Sequence, residues 1–76
     1  MSFEKVKEIM EVSINCDGEA ISMDARLKED LSIDSLDAME LNMALEEEFK
    51  ISIADEDLMS FVTVKDIVDY IDKQVA

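Results

Sequence analysis

Histidine, proline and tryptophan are absent from this sequence, and glycine and cysteine occur once each. Each absence removes a class of chemistry. Without histidine there is no Ser-His-Asp or Cys-His triad, and no zinc site built on imidazole or on several thiolates. No catalytic residue and no metal-ligand set is assigned, and the chain is read as a non-enzyme. A lone Cys16 forms no intrachain disulfide, which suits a reducing, cytoplasmic setting. Basic residues are also few: 7 Lys+Arg stand against 20 Asp+Glu, for a formal net charge of −13. Such a surface repels nucleic acid and anionic membrane and steers basic partners toward itself over about a Debye length. It also repels itself, so modest stability at low salt and a monomeric state are expected. An apolar run of ~18–20 residues, the minimum for a membrane span, is missing. Met1-Ser2-Phe3-Glu4-Lys5 lacks the basic region and apolar run of a signal peptide.

What is present points to a folded helical domain. Hydrophobic residues make up 49% of the chain, too many for a disordered one. A single domain over 1–76 is expected, and one this small buries only about 60% of the surface its unfolded chain exposes. That leaves little room for a deep, dry catalytic cleft beside a core. Phe3, Val6, Ile9, Met10 and Ile14 follow the spacing of one apolar helix face, and Cys16-Asp17-Gly18 reads as its stop. Residues 19–34 keep no period for long and read as a long loop with one helical turn near Met23–Leu27. A loop of that length in so small a domain is more often functional than idle. A second helix is predicted from Asp34 or Ser35 to Phe49, and a brief third one from the acidic turn Asp55-Glu56-Asp57 through Ser60. Thr63 is a good N-cap for the last helix, with Asp66 three residues on as an acidic capping box. Val64, Ile67, Val68, Ile71 and Val75 lie on one side of that helix. Ile51-Ser52-Ile53 alternates like a strand, but nothing else in the chain could pair with it. The expected fold is all-α: three main helices and one short one around a single core.

The second helix has two greasy faces. At roughly 100° per residue, Ala38, Leu41, Leu45 and Phe49 share one side. Leu36, Met39 and Met43 gather nearly opposite, among Glu40 and Glu47. One apolar stripe is enough to pack a helix into a small bundle. The second set is either scattered surface or a docking face, and the pattern favours docking. Methionine adapts to several partners, and surrounding carboxylates would pair with their Arg and Lys.

Residues 30–37 at the start of this helix read Asp-Leu-Ser-Ile-Asp-Ser-Leu-Asp. Residue type alone makes Asp34 and Ser35 ordinary N-caps. The same position suits a phosphate, because a helix N-terminus offers free N–H groups and the positive end of the macrodipole. The stretch DLSIDSLDAMELNMALEEEF, Asp30 to Phe49, closely resembles the signature of acyl carrier proteins of fatty acid synthesis. The similarity continues through Ile53–Asp57 and Thr63–Ile71, fades across 15–26, and covers roughly three quarters of the chain. Asp34-Ser35-Leu36 matches the family's Asp-Ser-Leu, whose serine carries 4′-phosphopantetheine taken from coenzyme A. The resemblance implies a covalent arm on Ser35 that holds acyl groups as thioesters, with no catalysis by the protein itself. It implies a recognition helix that meets phosphopantetheinyl transferase and acyl-processing enzymes through Leu36, Asp37, Met39, Glu40, Met43, Glu46 and Glu47. It further implies that an acyl chain shelters in the bundle against Leu45, Ile53, Phe61, Ile67 and Tyr70, residues that otherwise read as plain core.

Three positions depart from the family pattern. Ser32 stands where Gly is usual, Ala54 where Pro is common, and Asn42 where an apolar residue is common. Asn42 must find a hydrogen-bond partner or stay wet. These departures point to a variant and leave the family resemblance intact. A carrier of polyketide, aminoacyl or other specialised groups is one rival, against which Asp37 and Glu46-Glu47-Glu48 favour the fatty acid type. An acidic helical interaction module without a prosthetic group is another, and only the context of Ser35 separates it. A calcium sensor is excluded by the lack of an Asp-x-Asp-x-Asp-Gly loop with its distal Glu.

Overall fold

A computed structural model describes residues 2–75 and contains α1 (Phe3–Ser13), a 3₁₀ turn (Gly18–Ala20), α2 (Ser35–Phe49), α3 (Asp55–Ser60) and α4 (Val64–Val75). The all-α expectation holds, and Ile51-Ser52-Ile53 forms no strand. Val6, Ile9 and Met10 from α1, Leu41 and Leu45 from α2, and Val64, Ile67, Val68 and Ile71 from α4 fill the centre. Their 3/4 spacing gives each of these helices one buried stripe. α3 contributes no fully buried residue and rests on the bundle through half-buried Leu58.

Two expectations about the first third of the chain need correction. α1 stops at Ser13, not at Cys16-Asp17-Gly18. Asn15, which tolerates the left-handed region better than most residues, turns the chain there at φ 55°, and the Cys16 N–H returns to Met10 O. Gly18 instead opens the 3₁₀ turn, capped by Asp17, whose Oδ1 accepts from Glu19 N–H at 3.0 Å. The helical turn expected near Met23–Leu27 is also absent. Met23 and Asp24 form a tight turn instead, closed by Ala25 N–H to Ser22 O, and the segment is tied to distant chain: Leu27 N–H donates to Val62 O, Val64 N–H to Ala25 O, and Lys65 N–H to Met23 O, at 2.8–3.0 Å. An isolated bridge between Arg26 and Thr63 sits at the centre of this clasp. Ile21, Ala25, Leu27 and Ile33 are buried, so the long loop is part of the core.

The capping box of α4 is formed. Asp66 N–H reaches Thr63 Oγ1 at 3.3 Å, while Asp66 Oδ2 accepts from Thr63 N–H at 3.1 Å and Val62 N–H at 2.8 Å. The backbone donors of Val62 and Thr63 hold the Asp66 carboxyl below its ordinary value. A depressed folded pKa gives stability that is present above the unfolded value of about 3.9 and lost as pH falls through the folded one. Asp66→Ala should therefore cost about 1 kcal/mol at neutral pH. Its difference from wild type should shrink below about pH 4. Urea titrations across that range measure this, and a pH-independent difference would contradict it.

Ser32 and Lys50 occupy the left-handed region, at φ 55° and 57°. Lys50 ends α2 there, and its N–H bonds to Glu46 O. Neither residue is glycine, so each bears the steric cost that Cβ brings in this region. Ser32→Gly and Lys50→Gly should each raise stability by about 0.5–1 kcal/mol, net of the extra freedom of the unfolded chain. Loss of stability in both would show that these backbone angles are not maintained.

Candidate functional site

The start of α2 is built by Asp34. Its backbone is extended, its Oδ1 accepts from Asp37 N–H at 2.9 Å, and its carbonyl takes the first helical bond from Ala38. The N-cap is thus Asp34 rather than Ser35. Ser35 is the first helical residue, exposed, and its hydroxyl makes no hydrogen bond among the described residues. An accessible primary alcohol therefore stands at the positive end of a 15-residue helix.

The two faces of α2 are where the periodicity puts them. Leu41 and Leu45 are buried, and Ala38 and Phe49 are half-buried against the same core. Leu36, Met39 and Met43 are 71%, 59% and 67% exposed, values that rule out a core role for all three. Glu40 and Glu47 flank them in solvent. Glu46 behaves differently: its Oε2 turns to the connector after α2 and accepts from Ile53 N–H at 2.7 Å. Asp37 is half-buried and faces Cys16, whose thiol is raised by burial first and by Asp37 second. That leaves Cys16 a poor nucleophile.

The five residues expected around an acyl chain divide into two groups. Leu45, Ile53 and Ile67 are buried in the core. Phe61 and Tyr70 meet edge-to-face at 5.5 Å and border an open groove of about 260 Å³ with Ser60, Asp66, Asp69 and Lys73. The Tyr70 hydroxyl lies 3.1 Å from Asp57 Oδ2, and burial together with that carboxylate raises its pKa.

A scan against protein families matches residues 4–71 to the phosphopantetheine attachment site. Among curated relatives, the acyl carrier protein of Aster yellows witches'-broom phytoplasma is 47% identical over all of both chains. That of Onion yellows phytoplasma is 49% identical over 96% of each. The acyl carrier protein of Campylobacter jejuni subsp. doylei is 41% identical over 93% of this chain and 92% of its own. The chain belongs to the acyl carrier protein family. Membership brings a covalently attached 4′-phosphopantetheine and makes the protein a carrier without catalytic activity of its own. Acyl chains and the enzymes that process them are the family's partners. No helix among the described residues is long and apolar enough to cross a membrane.

The residues present suit such a group. Because Asp34 takes the cap, the Ser35 hydroxyl is left for a phosphodiester, which the first-turn N–H groups and the macrodipole favour. Engagement of the Asp34 carboxylate with Asp37 N–H moderates the repulsion it would exert on a phosphate. One further residue, Asn42, stands out in the sequence only as a polar side chain beside the apolar stripe. Asn42 is half-buried, and its Oδ1 is shut off from solvent with no hydrogen-bond partner among the described residues. An orphan of this kind costs about 1–3 kcal/mol. Its signal was a polar residue at the margin of an apolar stripe.

Proposed function

We propose that Ser35 is the attachment point of 4′-phosphopantetheine, and that the protein delivers thioester-bound acyl groups to enzymes of fatty acid synthesis in the cytoplasm, as a monomer. The observation that carries the reading is the exposed, unbonded Ser35 hydroxyl at the N-terminus of a helix capped by its neighbour Asp34. In the attachment step Ser35 Oγ forms the new P–O bond, its proton passes to the transferase, and the adenosine bisphosphate half of coenzyme A leaves. Once bound, the group supplies a terminal thiol that holds acyl cargo. Leu36, Met39 and Met43, with Glu40 and Glu47, are the proposed landing surface for basic patches on the transferase and on acyl-processing enzymes. Their exposure supports this. Asp37 and Glu46 are both half-buried, and Glu46 holds the connector.

Incubation with coenzyme A and a phosphopantetheinyl transferase should raise the intact mass by one phosphopantetheine group. Ser35→Ala should abolish the shift while the helical circular dichroism is retained. A shift that persists in Ser35→Ala, or one that maps to Ser32, overturns the assignment.

A further inference from the structure

Ser35, Asn42 and Glu46 lie on one stripe of α2. Seven residues advance a helix by nearly two full turns, so Asn42 sits within about 20° of Ser35 in azimuth and roughly 10 Å farther along the axis. The Glu46 carboxylate, one turn beyond, reaches over to Ile53 N–H, which places this stripe on the side of α2 that faces the connector leading into α3. On that stripe Asn42 offers an acceptor, Oδ1, that water does not reach and no protein donor satisfies among the described residues. Its i−3 neighbour Met39 is long, unbranched and exposed, so it can swing aside, while Glu46 at i+4 stays held by Ile53 N–H. Native proteins rarely leave such an atom unmet without a reason.

We infer that Asn42 is a positioning and specificity residue whose Oδ1 accepts a hydrogen bond from an N–H or O–H donor carried by the Ser35-linked arm or its cargo. The inference rests on Ser35 as the attachment point. The dimensions agree: with single bonds of about 1.5 Å, the arm's first amide N–H lies roughly 9 Å from the serine oxygen when extended. That is close to the axial distance from Ser35 to Asn42. A 3-hydroxyacyl cargo would offer a second donor of the same chemistry. A saturated acyl chain offers none, and its passage along this stripe would leave Oδ1 unsatisfied. Asn42 therefore discriminates among cargoes by polarity, which an apolar side chain at this position could not do.

The test compares wild type with Asn42→Leu, similar in size but without the acceptor, each prepared in four states. These are unmodified protein, protein bearing the free-thiol arm, and arms loaded with a saturated acyl group or its 3-hydroxy counterpart. Loading is verified by mass. Unmodified Asn42→Leu should melt above unmodified wild type, because the orphan is gone. Arm attachment adds negative charge in both backgrounds, so the readout is the difference between the two loading effects. One recovered hydrogen bond should make that difference about 4–8 °C in favour of wild type. A difference already present with the free-thiol arm identifies the arm as donor, and one that appears only with the 3-hydroxyacyl group identifies the cargo. As a check independent of the variant, the Asn42 side-chain amide resonance of ¹⁵N-labelled wild type should shift on loading. Equal loading effects in both backgrounds, with an unshifted resonance, overturn the inference and leave Ser35 untouched. Failure of Ser35 to accept the arm overturns both readings, and the mass measurement tells the two failures apart.

Discussion

Leu45→Ala is expected to destabilise the protein by about 2–5 kcal/mol, while Met43→Ser, two residues away, changes stability by about 0.5 kcal/mol or less. Leu45 is 0% exposed and belongs to the buried core cluster, whereas Met43 is 67% exposed. Truncating Leu45 removes the transfer free energy of its side chain and leaves a cavity that a close-packed core refills only in part. Folded domains have only about 5–15 kcal/mol in total, and one this small and acidic belongs near the lower end. Leu45→Ala should therefore be partly unfolded at 37 °C, and Leu41→Ala should behave in the same way. Melting curves for the three variants decide the matter. If Met43→Ser unfolds the protein and Leu45→Ala does not, the two faces of α2 have been interchanged and the proposed landing surface is lost.

Charge reversal on that surface should have the second large effect. The double variant Glu40→Lys, Glu47→Lys should slow arm transfer by about tenfold at low salt, through association rather than through the chemical step. Both carboxylates are in solvent beside Met39 and Met43, so they act on an approaching basic partner with little desolvation cost. The deficit should narrow as salt screens the field of the wild-type protein. Glu4→Lys with Glu11→Lys on α1 makes the same change in net charge away from this face, and serves as the control. Equal slowing in both double variants would mean that overall charge, not the α2 surface, guides the encounter.

Much of this was legible because it is local. The limits of α2 are encoded by Asp34 at one end and by the end of the apolar period at Phe49 at the other, and its two stripes follow from 100° per residue. The Thr63–Asp66 box is likewise a matter of four adjacent residues. Gly18 is the obvious stop for α1 in the sequence, yet Asn15 takes the left-handed turn three residues earlier. The course of the loop could not be read at all. Where Met23–Leu27 runs depends on bonds to Val62, Val64 and Lys65, far along the chain. Asn42 was recognisable as out of place, but the lack of any partner for its Oδ1 depends on how the surrounding chain packs.

The clasp between residues 23–27 and the start of α4 also bears on how the cargo is delivered. Between that clasp and the Asp34 cap, the chain leading to Ser35 is held by the Ile33 N–H to Leu27 O bond and by buried Ile33. If Ser35 carries the arm as proposed, it gives that arm a fixed origin, and the volume swept by a tethered thiol is set by the tether alone. For a short flexible tether the effective concentration at a docked active site is of the order of millimolar. That concentration falls roughly as the −3/2 power of tether length. A loop free to move would add its own residues to that length and dilute the cargo before any enzyme had met it. By immobilising the residues ahead of Ser35, the clasp keeps the local concentration of substrate as high as the arm permits.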